Sequence, residues 1–132
     1  MINKRRILLV DDETDFLDGT RRCLERAGYD VLTTSLGREA WDIVQSRDDV
    51  DLVLLDVNLP DLDGFSLCRR IRMDLRRCGL PVILVTVRRN PADVLGGFSS
   101  GATEYLAKPV RSDELLLQIR RFIGKPQDIR AS

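Results

Sequence analysis

Short apolar runs alternate with segments of helical periodicity along almost the whole chain. The runs, such as RILLV at residues 6–10 and DLVLLD at residues 51–56, have the length and composition of strands buried on both faces. Between them, apolar residues recur at spacings of three and four, which is typical of helices with one face against a core. Strands that alternate with helices form a parallel sheet with helices on both sides. The pattern therefore predicts an α/β fold with a doubly wound sheet.

Five strand–helix pairs account for residues 6–123. The predicted strands cover residues 6–10, 30–34, 51–56, 81–86 and 103–106. The predicted helices cover residues 15–27, 39–47, 65–77, 91–99 and 113–123. Gly28 is expected to end the first helix, and Asn90 and Ser112 are expected to cap the N-termini of the fourth and fifth helices. The chain is thus predicted to form a five-stranded parallel sheet with five helices.

Length and composition describe one ordinary globular domain. The chain has 132 residues, of which 43% are hydrophobic and 32% charged, with 21 basic and 21 acidic side chains. The zero net charge gives no reason to expect direct binding to nucleic acid. The apolar runs are too short to cross a membrane and no signal peptide is recognisable, so we expect a cytoplasmic protein. Residues 1–124 are assigned to the domain, and residues 125–132 to a C-terminal tail or the start of a linker.

The absence of histidine excludes several kinds of chemistry. Without an imidazole, the chain has no histidine general base, no histidine metal ligand and no phosphohistidine of its own. The cysteines are Cys23, Cys68 and Cys78, and they form no closely spaced pair. We therefore expect buried or half-buried thiols rather than a disulfide or a zinc site.

Five polar side chains fall at the carboxyl ends of predicted strands, where ligands bind in open α/β sheets. They are Asp11, Asp12, Asp56, Thr86 and Lys108. Taken singly, each is an ordinary turn, strand or loop residue, but together they bring carboxylates, a hydroxyl and an ammonium to one edge. Oxygen ligands favour Mg²⁺, Mn²⁺ or Ca²⁺, while the hydroxyl and the ammonium suit phosphoryl oxygens. The residues predict metal-assisted transfer of a phosphoryl group to a strand-end aspartate.

Four segments resemble the response-regulator receiver family, and together they extend over nearly the whole chain. They are ILLVDDE (residues 7–13), LVLLDVNLPDLDG (52–64), PVILVT (81–86) and GATEYLAKP (101–109). The resemblance implies a flavodoxin-like sheet of strand order 2-1-3-4-5, a Mg²⁺ cofactor, and phosphoryl transfer from a histidine kinase or a histidine phosphotransfer protein. It also implies a switch domain and not an enzyme, with chemistry limited to its own phosphorylation and dephosphorylation.

The resemblance assigns roles to the acidic residues of the predicted site. Asp56 matches the phosphoacceptor. Asp11 and Asp12 match the acidic pair that positions Mg²⁺, in which one residue ligates more directly than the other. The backbone carbonyl of Asn58 would complete the protein's ligands to the metal.

Three further residues match the family's machinery for phosphoryl binding and switching. Thr86 matches the hydroxyl that binds the phosphoryl group, Lys108 matches the residue that pairs with a phosphoryl oxygen, and Tyr105 matches the switch aromatic. The implied mechanism is a two-state population shift: Thr86 is drawn inward, Tyr105 turns into the space behind it, and the face of helix 4, strand 5 and helix 5 changes its partner preference. The Lys108–Pro109 bond matches one that is often cis in the family, an arrangement expected to aim the lysine inward.

Partners follow from the same resemblance. The downstream protein or output domain is not identified by the sequence. Many receivers pair through the face of helix 4 and helix 5, so formation of a homodimer on phosphorylation is a hypothesis. The third predicted helix is rich in arginine, which predicts a solvated face rather than a nucleic-acid patch. These residues are Arg69, Arg70, Arg72, Arg76 and Arg77.

Four positions depart from the family pattern. Val87 follows Thr86 where a small residue is usual, so it is expected to narrow access to the site, and Arg88 could reach over it. Gly96 and Gly97 lie inside the fourth helix and each costs about 1 kcal/mol relative to alanine, so a weakened, mobile helix is expected.

Three alternatives fit the residues less well. A degenerate receiver that acts only as a protein-interaction module predicts the loss of an acidic residue, of Thr86 or of Lys108; none is lost, so it rests on Val87 and Arg88 alone. A phosphatase of the haloacid-dehalogenase type needs a second aspartate two residues after its nucleophile, where this chain has Asn58. A flavodoxin-like cofactor site is rejected because the strand-end carboxylates would repel a flavin phosphate.

Overall fold

A computed structural model describes residues 4–127 and contains the five strands and five helices that the sequence predicts. The strands are β1 (Arg6–Val10), β2 (Asp30–Thr34), β3 (Leu52–Leu55), β4 (Val82–Thr86) and β5 (Glu104–Ala107). The helices are α1 (Thr14–Arg26), α2 (Gly37–Ser46), α3 (Gly64–Met73), α4 (Pro91–Ser99) and α5 (Ser112–Ile123). All strands are parallel, in the order β2-β1-β3-β4-β5. The doubly wound, flavodoxin-like topology is confirmed.

Alternate residues of the central strands face opposite sides of the sheet and build two hydrophobic cores. On one side, residues such as Leu8, Val53 and Leu84 pack against α2 and α3. On the other side, residues such as Leu9 and Leu54 pack against α1 and α5. Burial on both faces explains why these strands are continuous apolar runs. Because the strands are parallel and aligned, their carboxyl ends all lie at one edge of the sheet.

The start of α2 depends on a contact between residues far apart in the chain. The helix begins at Gly37 and not at residue 39 as predicted. The Asp61 carboxylate, from the loop after β3, accepts the backbone N–H groups of Gly37 at 2.8 Å and of Arg38 at 3.0 Å. These are amide groups that no carbonyl inside the helix can reach. Asp61 therefore caps α2 in place of a local N-cap side chain, since Leu36 at the N-cap position has none to offer.

The remaining helix ends follow local chemistry. Asn90 caps α4, as predicted, by accepting the N–H of Asp93 at 2.9 Å. The predicted Ser112 cap is wrong, because α5 begins one residue early and places Ser112 inside the helix. α3 ends at Met73 and not at residue 77, since Asp74 leaves the helical conformation and accepts a backbone N–H two residues on, at 2.9 Å. Gly28 ends α1 with φ of 105°, as predicted.

Arg72 corrects the expectation of a wholly solvated arginine face on α3. Its guanidinium donates to the carbonyl oxygens of Gly101 and Leu80, each at 2.6 Å, and to the Thr103 hydroxyl at 3.1 Å. It thereby ties the end of α3 to the start of β4 and to the turn before β5. Arg77, which follows the helix, donates to the carbonyl of Val44 in α2 at 2.8 Å. Three arginines of the set do remain exposed: Arg69, Arg70 and Arg76.

The cysteines are all free thiols. Cys68 is buried and Cys23 half-buried, as expected, but Cys78 is exposed in the turn after α3. Within residues 4–127, no helix is both long enough and apolar enough to span a membrane. Pro126 is buried and its carbonyl accepts the N–H of Arg5 at 2.8 Å. The domain boundary at residue 124 stays a prediction, and residues 128–132 of the predicted tail lie outside the described residues.

A network of charges closes the edge of the sheet opposite the strand carboxyl ends. Arg6, at the start of β1, pairs with Asp49 and, at 3.0 Å, with Asp30. Arg47 also binds Asp49, through Nε at 2.9 Å and Nη2 at 3.0 Å. Hydrogen bonds from Arg47, only partly offset by burial and reinforced by the charge of Arg6, lower the pKa of Asp49 to about 2. The ionised form of Asp49 is therefore stabilised in the folded protein.

Because the folded-state pKa of Asp49 lies below its usual value of 3.8, its contribution to stability is present above pH 4 and is lost as the pH falls towards about 2. We expect Asp49→Asn to lower the free energy of unfolding at pH 7. Below pH 4, the difference in this free energy between wild type and the variant should become smaller. Urea unfolding of both proteins at several pH values measures the difference. Asp48→Asn, whose exposed side chain makes none of the described ion pairs, is the control and should show no such narrowing.

Candidate functional site

The carboxyl ends of four strands bring the predicted polar residues together. Asp11 follows β1, Asp56 follows β3, Thr86 ends β4 and Lys108 follows β5. All four are buried, although isolated charges are costly to remove from water. The sheet order explains the gathering, since β1 and β3 are neighbours and β5 lies beyond β4. The Lys108 side chain therefore spans the end of β4 to reach the aspartates.

Lys108 is the centre of this cluster. Its Nζ lies 2.7 Å from Asp11 Oδ2 and 3.3 Å from Asp56 Oδ2, and both are hydrogen bonds. Glu13 Oε1 is 3.8 Å away and is largely exposed. The ring of Phe16, in the first turn of α1, has its centroid 4.1 Å from the same Nζ. The ammonium is thus held by two buried carboxylates and covers an aromatic face. The Lys108–Pro109 peptide bond is cis, as the resemblance implies.

Burial and pairing act in opposite directions on the ionisable groups of the cluster. Burial raises the pKa of the Asp11 carboxyl, and the hydrogen bonds from Lys108 and from the Glu13 N–H offset only part of that effect. For Lys108, burial disfavours the charge, but the hydrogen bond to Asp11 and the charges of Asp11 and Asp56 outweigh burial and raise its pKa. The lysine is therefore a firmly held cation. Removing it would leave two buried carboxylates without a counter-charge.

The carboxylates also have the composition and spacing of a metal site. Asp11, Asp12 and Asp56 each offer an oxygen, and these oxygens lie within 4.8 Å of one another. Asp12 is exposed and opens the cluster to solvent, whereas the other two are buried. An all-oxygen donor set with one open side fits Mg²⁺, which keeps several waters and uses few carboxylates. The residues present therefore fit the metal that the resemblance implies.

The second half of the loop after β3 is fixed by the N-termini of two helices. Asp63 accepts the N–H of Phe65 at 2.7 Å and caps α3, while Asp61 caps α2. Gly64 packs directly on the Asp56 backbone, where a side chain would collide with the Asp56 carbonyl oxygen. The N–H of Asn58 donates to Asp56 Oδ1 at 3.2 Å. The segment that carries Asn58 is therefore held against the acidic cluster by α2 and α3 together.

Arg88 reaches over the site, as its position after Thr86 allowed. Its Nε donates to Asn58 Oδ1 at 2.8 Å, and its backbone N–H donates to the Thr86 hydroxyl at 3.3 Å. An open cleft of about 450 Å³ lies between Asp12, the loop of residues 57–63 and Arg88. Val87 is 59% exposed and is not among the lining residues. Arg88, unlike Val87, therefore lines the cleft beside Asp12.

Tyr105 connects the site to α4. Its hydroxyl donates to the Arg88 carbonyl at 2.8 Å, and its half-buried ring lies against Gly97 of α4. A Cβ atom at Gly97 would approach Tyr105 Cδ2 to 2.6 Å, so only glycine allows this contact without a shift. At Gly96, a Cβ would make only ordinary contact with the Phe65 ring, at 3.7 Å. The two glycines that the sequence treats alike therefore have different roles.

Two residues near the site were missed by sequence reasoning. Phe16 was assigned only to the inward face of the first helix, and no local pattern identifies an aromatic residue as the neighbour of a lysine 92 positions later. Asp61 stands in the recognised LPDLDG segment, but its role as the cap of α2 depends on a contact between residues 24 positions apart. Only the three-dimensional arrangement identifies either contact.

Comparison with known sequences gives one consistent result. The family model described as response regulator receiver domain matches residues 7–120. Transcriptional regulatory protein GltR of Pseudomonas aeruginosa is 39% identical over 95% of this chain and 51% of its own length. Two-component response regulator ARR11 of Arabidopsis thaliana is 37% identical over 95% of this chain and 24% of its own length. The chain spans about half, or less, of the length of these curated relatives.

Solved structures agree with the sequences. Chemotaxis response regulator CheY4 of Vibrio cholerae superposes with a TM-score of 0.84 at 31% identity, over 91% of this chain and 99% of that one. The receiver domain of sensor histidine kinase PA1611 of Pseudomonas aeruginosa superposes with a TM-score of 0.85 at 31% identity, over 92% and 99% of the two chains. That domain was solved with a magnesium ion coordinated in its active-site cleft.

The contrast between the two glycines of α4 can be measured. Gly97→Ala should lower the free energy of unfolding by about 1–3 kcal/mol, because its methyl group overpacks against Tyr105 and Leu84. Gly96→Ala should raise it by about 0.5–1 kcal/mol, since alanine favours helix and its methyl group makes only ordinary contact with the Phe65 ring. Urea denaturation of the two variants gives both values. Equal changes in the free energy of unfolding would show that helix propensity alone, and not the contact with Tyr105, sets the effect of alanine at these positions.

Proposed function

Because the chain belongs to the response-regulator receiver family, we propose that it accepts a phosphoryl group on Asp56 from a histidine kinase or a histidine phosphotransfer protein. It is a receiver domain of the two-component type, and such domains are signalling domains. The observation that carries the proposal is the buried Lys108 ammonium, which bridges Asp11 and Asp56 at the strand ends. A structural ion pair alone would not require a third carboxylate, that of Asp12, beside it.

Mg²⁺ would be held by the carboxylates of Asp11, Asp12 and Asp56 and by the backbone carbonyl of Asn58. When bound, it supplies positive charge that offsets the repulsion between the acceptor carboxylate and the phosphoryl oxygens. The acidic residues thus serve two purposes, since two of them hold Lys108 by charge and all of them offer oxygen to the metal. Cytoplasmic localisation stays a prediction.

The transfer step uses Asp56 as nucleophile. One of its carboxylate oxygens forms a bond to phosphorus while the bond from phosphorus to the donor nitrogen breaks. The electron pair of that bond stays on the nitrogen. The other ring nitrogen of the donor's phosphohistidine carries a proton, so the histidine leaves as a neutral imidazole. The new acyl phosphate removes the negative charge of the Asp56 carboxylate, so Lys108 gains a phosphoryl oxygen as its partner. The Thr86 hydroxyl would donate to another phosphoryl oxygen.

We propose that the conformational change passes from Thr86 to Tyr105 through Arg88, because the backbone of Arg88 contacts both hydroxyl groups. Its N–H donates to the Thr86 hydroxyl and its carbonyl accepts the Tyr105 hydroxyl. A Thr86 hydroxyl that turns to a phosphoryl oxygen gives up its contact with Arg88, which shifts the balance between two positions of Tyr105. The exposed side chains Leu95 and Leu117 lie on α4 and α5, the face whose partner preference would change.

The proposed partners are a histidine-phosphorylated donor and a downstream protein or output domain. A homodimer of the phosphorylated form through α4 and α5 remains a hypothesis, which sedimentation velocity with a phosphoryl mimic can test. The alternative of a degenerate interaction module has no observation in its favour, since the residues proposed to take part in phosphorylation are all present and lie together at one edge.

Intact-mass spectrometry after incubation with acetyl phosphate or phosphoramidate tests the acceptor. We expect a single phosphoryl adduct that requires Mg²⁺ and is absent from Asp56→Asn, because the amide is not a nucleophile for phosphorus. The same incubation with excess chelator is the metal control. An adduct that persists in Asp56→Asn would place the acceptor elsewhere, and no adduct from small donors or from a histidine kinase would leave only the interaction module.

The two departures after Thr86 can be separated by their effect on small donors. Arg88→Ala should raise the rate of adduct formation about 2- to 10-fold, because it removes a side chain that lines the cleft beside Asp12 and its exposed hydrogen bond to Asn58. Val87→Ala is the matched control and should leave the rate unchanged, since Val87 does not line the cleft. The reverse result would identify Val87 as the barrier.

A further inference from the structure

We propose that Phe16 is a positioning residue for Lys108: its ring keeps the ammonium over the phosphorylation site when metal binding weakens the hold of the carboxylates. The proposal rests on the proposed function and adds to it a residue outside the four recognised segments. It starts from one contact, the 4.1 Å between Lys108 Nζ and the centroid of the Phe16 ring. A cation at that distance over an aromatic face is attracted by the negative charge distribution of the ring.

Among the described contacts of the Lys108 ammonium, the Phe16 ring is the one attractive group that carries no charge. Asp11 and Asp56 accept hydrogen bonds from Nζ, and Glu13 lies 3.8 Å away with 62% of its side chain exposed. An exposed carboxylate at that distance is screened by water and attracts weakly. The backbone of Lys108 is separately fixed, since Arg89 donates to its carbonyl oxygen. What remains to be held is the far end of a long, flexible side chain.

The carboxylates that hold Lys108 are the same ones that would ligate the metal. Once Asp11 and Asp56 share their charge with Mg²⁺, their attraction for the ammonium falls, and the two cations repel each other. The attraction of the Phe16 ring for the ammonium does not depend on the charge of either aspartate. With the ring beneath it, the lysine stays at the site and is available to the phosphoryl oxygen; without it, a solvated conformation competes.

The location of Phe16 supports this role. It sits in α1, one turn after the acidic residues that follow β1, and its ring is half-buried beside the core of α1 and α5. A partly desolvated ring attracts a cation more strongly than an exposed one. Its neighbour Leu17 packs against the same core. A substitution at Phe16 therefore removes the aromatic ring, whereas a substitution at Leu17 removes only apolar packing.

The experiment compares Phe16→Leu and Phe16→Tyr with wild type and with Leu17→Ala. Leucine keeps an apolar side chain without an aromatic face, tyrosine keeps the face, and Leu17→Ala reports a loss of stability unconnected to the lysine. For each protein, Mg²⁺ affinity is measured by calorimetry, thermal stability by unfolding, and the rate of Asp56 phosphorylation by mass spectrometry with acetyl phosphate at saturating Mg²⁺. In that reaction acetate leaves as the anion when the bond to phosphorus passes to Asp56.

Phe16→Leu should slow phosphorylation about 2- to 30-fold, the range of a cation–π contact, while Mg²⁺ binds as tightly as in wild type or more tightly. Tyrosine should keep the wild-type rate. Leu17→Ala should lose thermal stability without losing the rate. This split between a slower reaction and undiminished metal affinity is not expected from general damage to the fold. A wild-type rate in Phe16→Leu at saturating Mg²⁺ would overturn the proposal.

A second readout does not depend on phosphorylation. In the NMR spectrum, the ring should shift the ε-methylene protons of Lys108 upfield, and that shift should persist at saturating Mg²⁺ and vanish in Phe16→Leu. Loss of the shift on adding Mg²⁺ to wild type would show that the ring does not hold the lysine. If wild type forms no adduct but the shift persists, the proposed function fails while the role of Phe16 in holding Lys108 stands.

Discussion

The buried charge cluster of Lys108, Asp11 and Asp56 is the constraint around which the rest of the molecule is arranged. Lys108 Nζ lies 2.7 Å from an oxygen of Asp11 and 3.3 Å from one of Asp56, so each buried charge has a partner of opposite sign. Without such a partner, none of these charges could be buried at an acceptable cost in free energy. The members come from the ends of β1, β3 and β5, so the cluster exists only when the strands are parallel, aligned and in the order found. The two hydrophobic cores on either face of the sheet fix that alignment. Folding and the chemistry of the site therefore depend on the same packing.

The loop after β3 is positioned by the helices on either side of it in space. Asp61 caps α2, Asp63 caps α3, and Gly64 packs on the Asp56 backbone. The carboxylate oxygens of Asp61 satisfy two amide groups of α2; burial of that carboxyl opposes its charge, but these hydrogen bonds outweigh the opposition and lower its pKa. A loop with so many fixed points would need little further ordering to present the backbone carbonyl of Asn58 to the proposed metal.

The region after β4 is connected differently. Arg88 meets Asn58 with its side chain, and its backbone meets the hydroxyl groups of Thr86 and Tyr105. The Tyr105 ring in turn needs the flat surface that Gly97 provides on α4. A change at Thr86 can therefore reach α4 through few contacts, whereas the loop after β3 is tied at several points. The proposed two-state switch would use this short series of contacts between Thr86 and α4.

The sequence by itself determined the fold and the membership of the site. Apolar runs and helical periodicity predicted every strand and helix, and Asp11, Asp56, Thr86 and Lys108 were identified from their places at strand ends, because parallel topology converts position in a strand into position in space. Tertiary structure alone decided the cap of α2 by Asp61, the internal bonding of Arg72, the contact of Arg88 with Asn58, and the ring of Phe16 under Lys108. Each of these contacts joins a side chain to a residue far away in the chain. Such contacts depend on side-chain conformations and on how the elements pack, and no local pattern of residues encodes either.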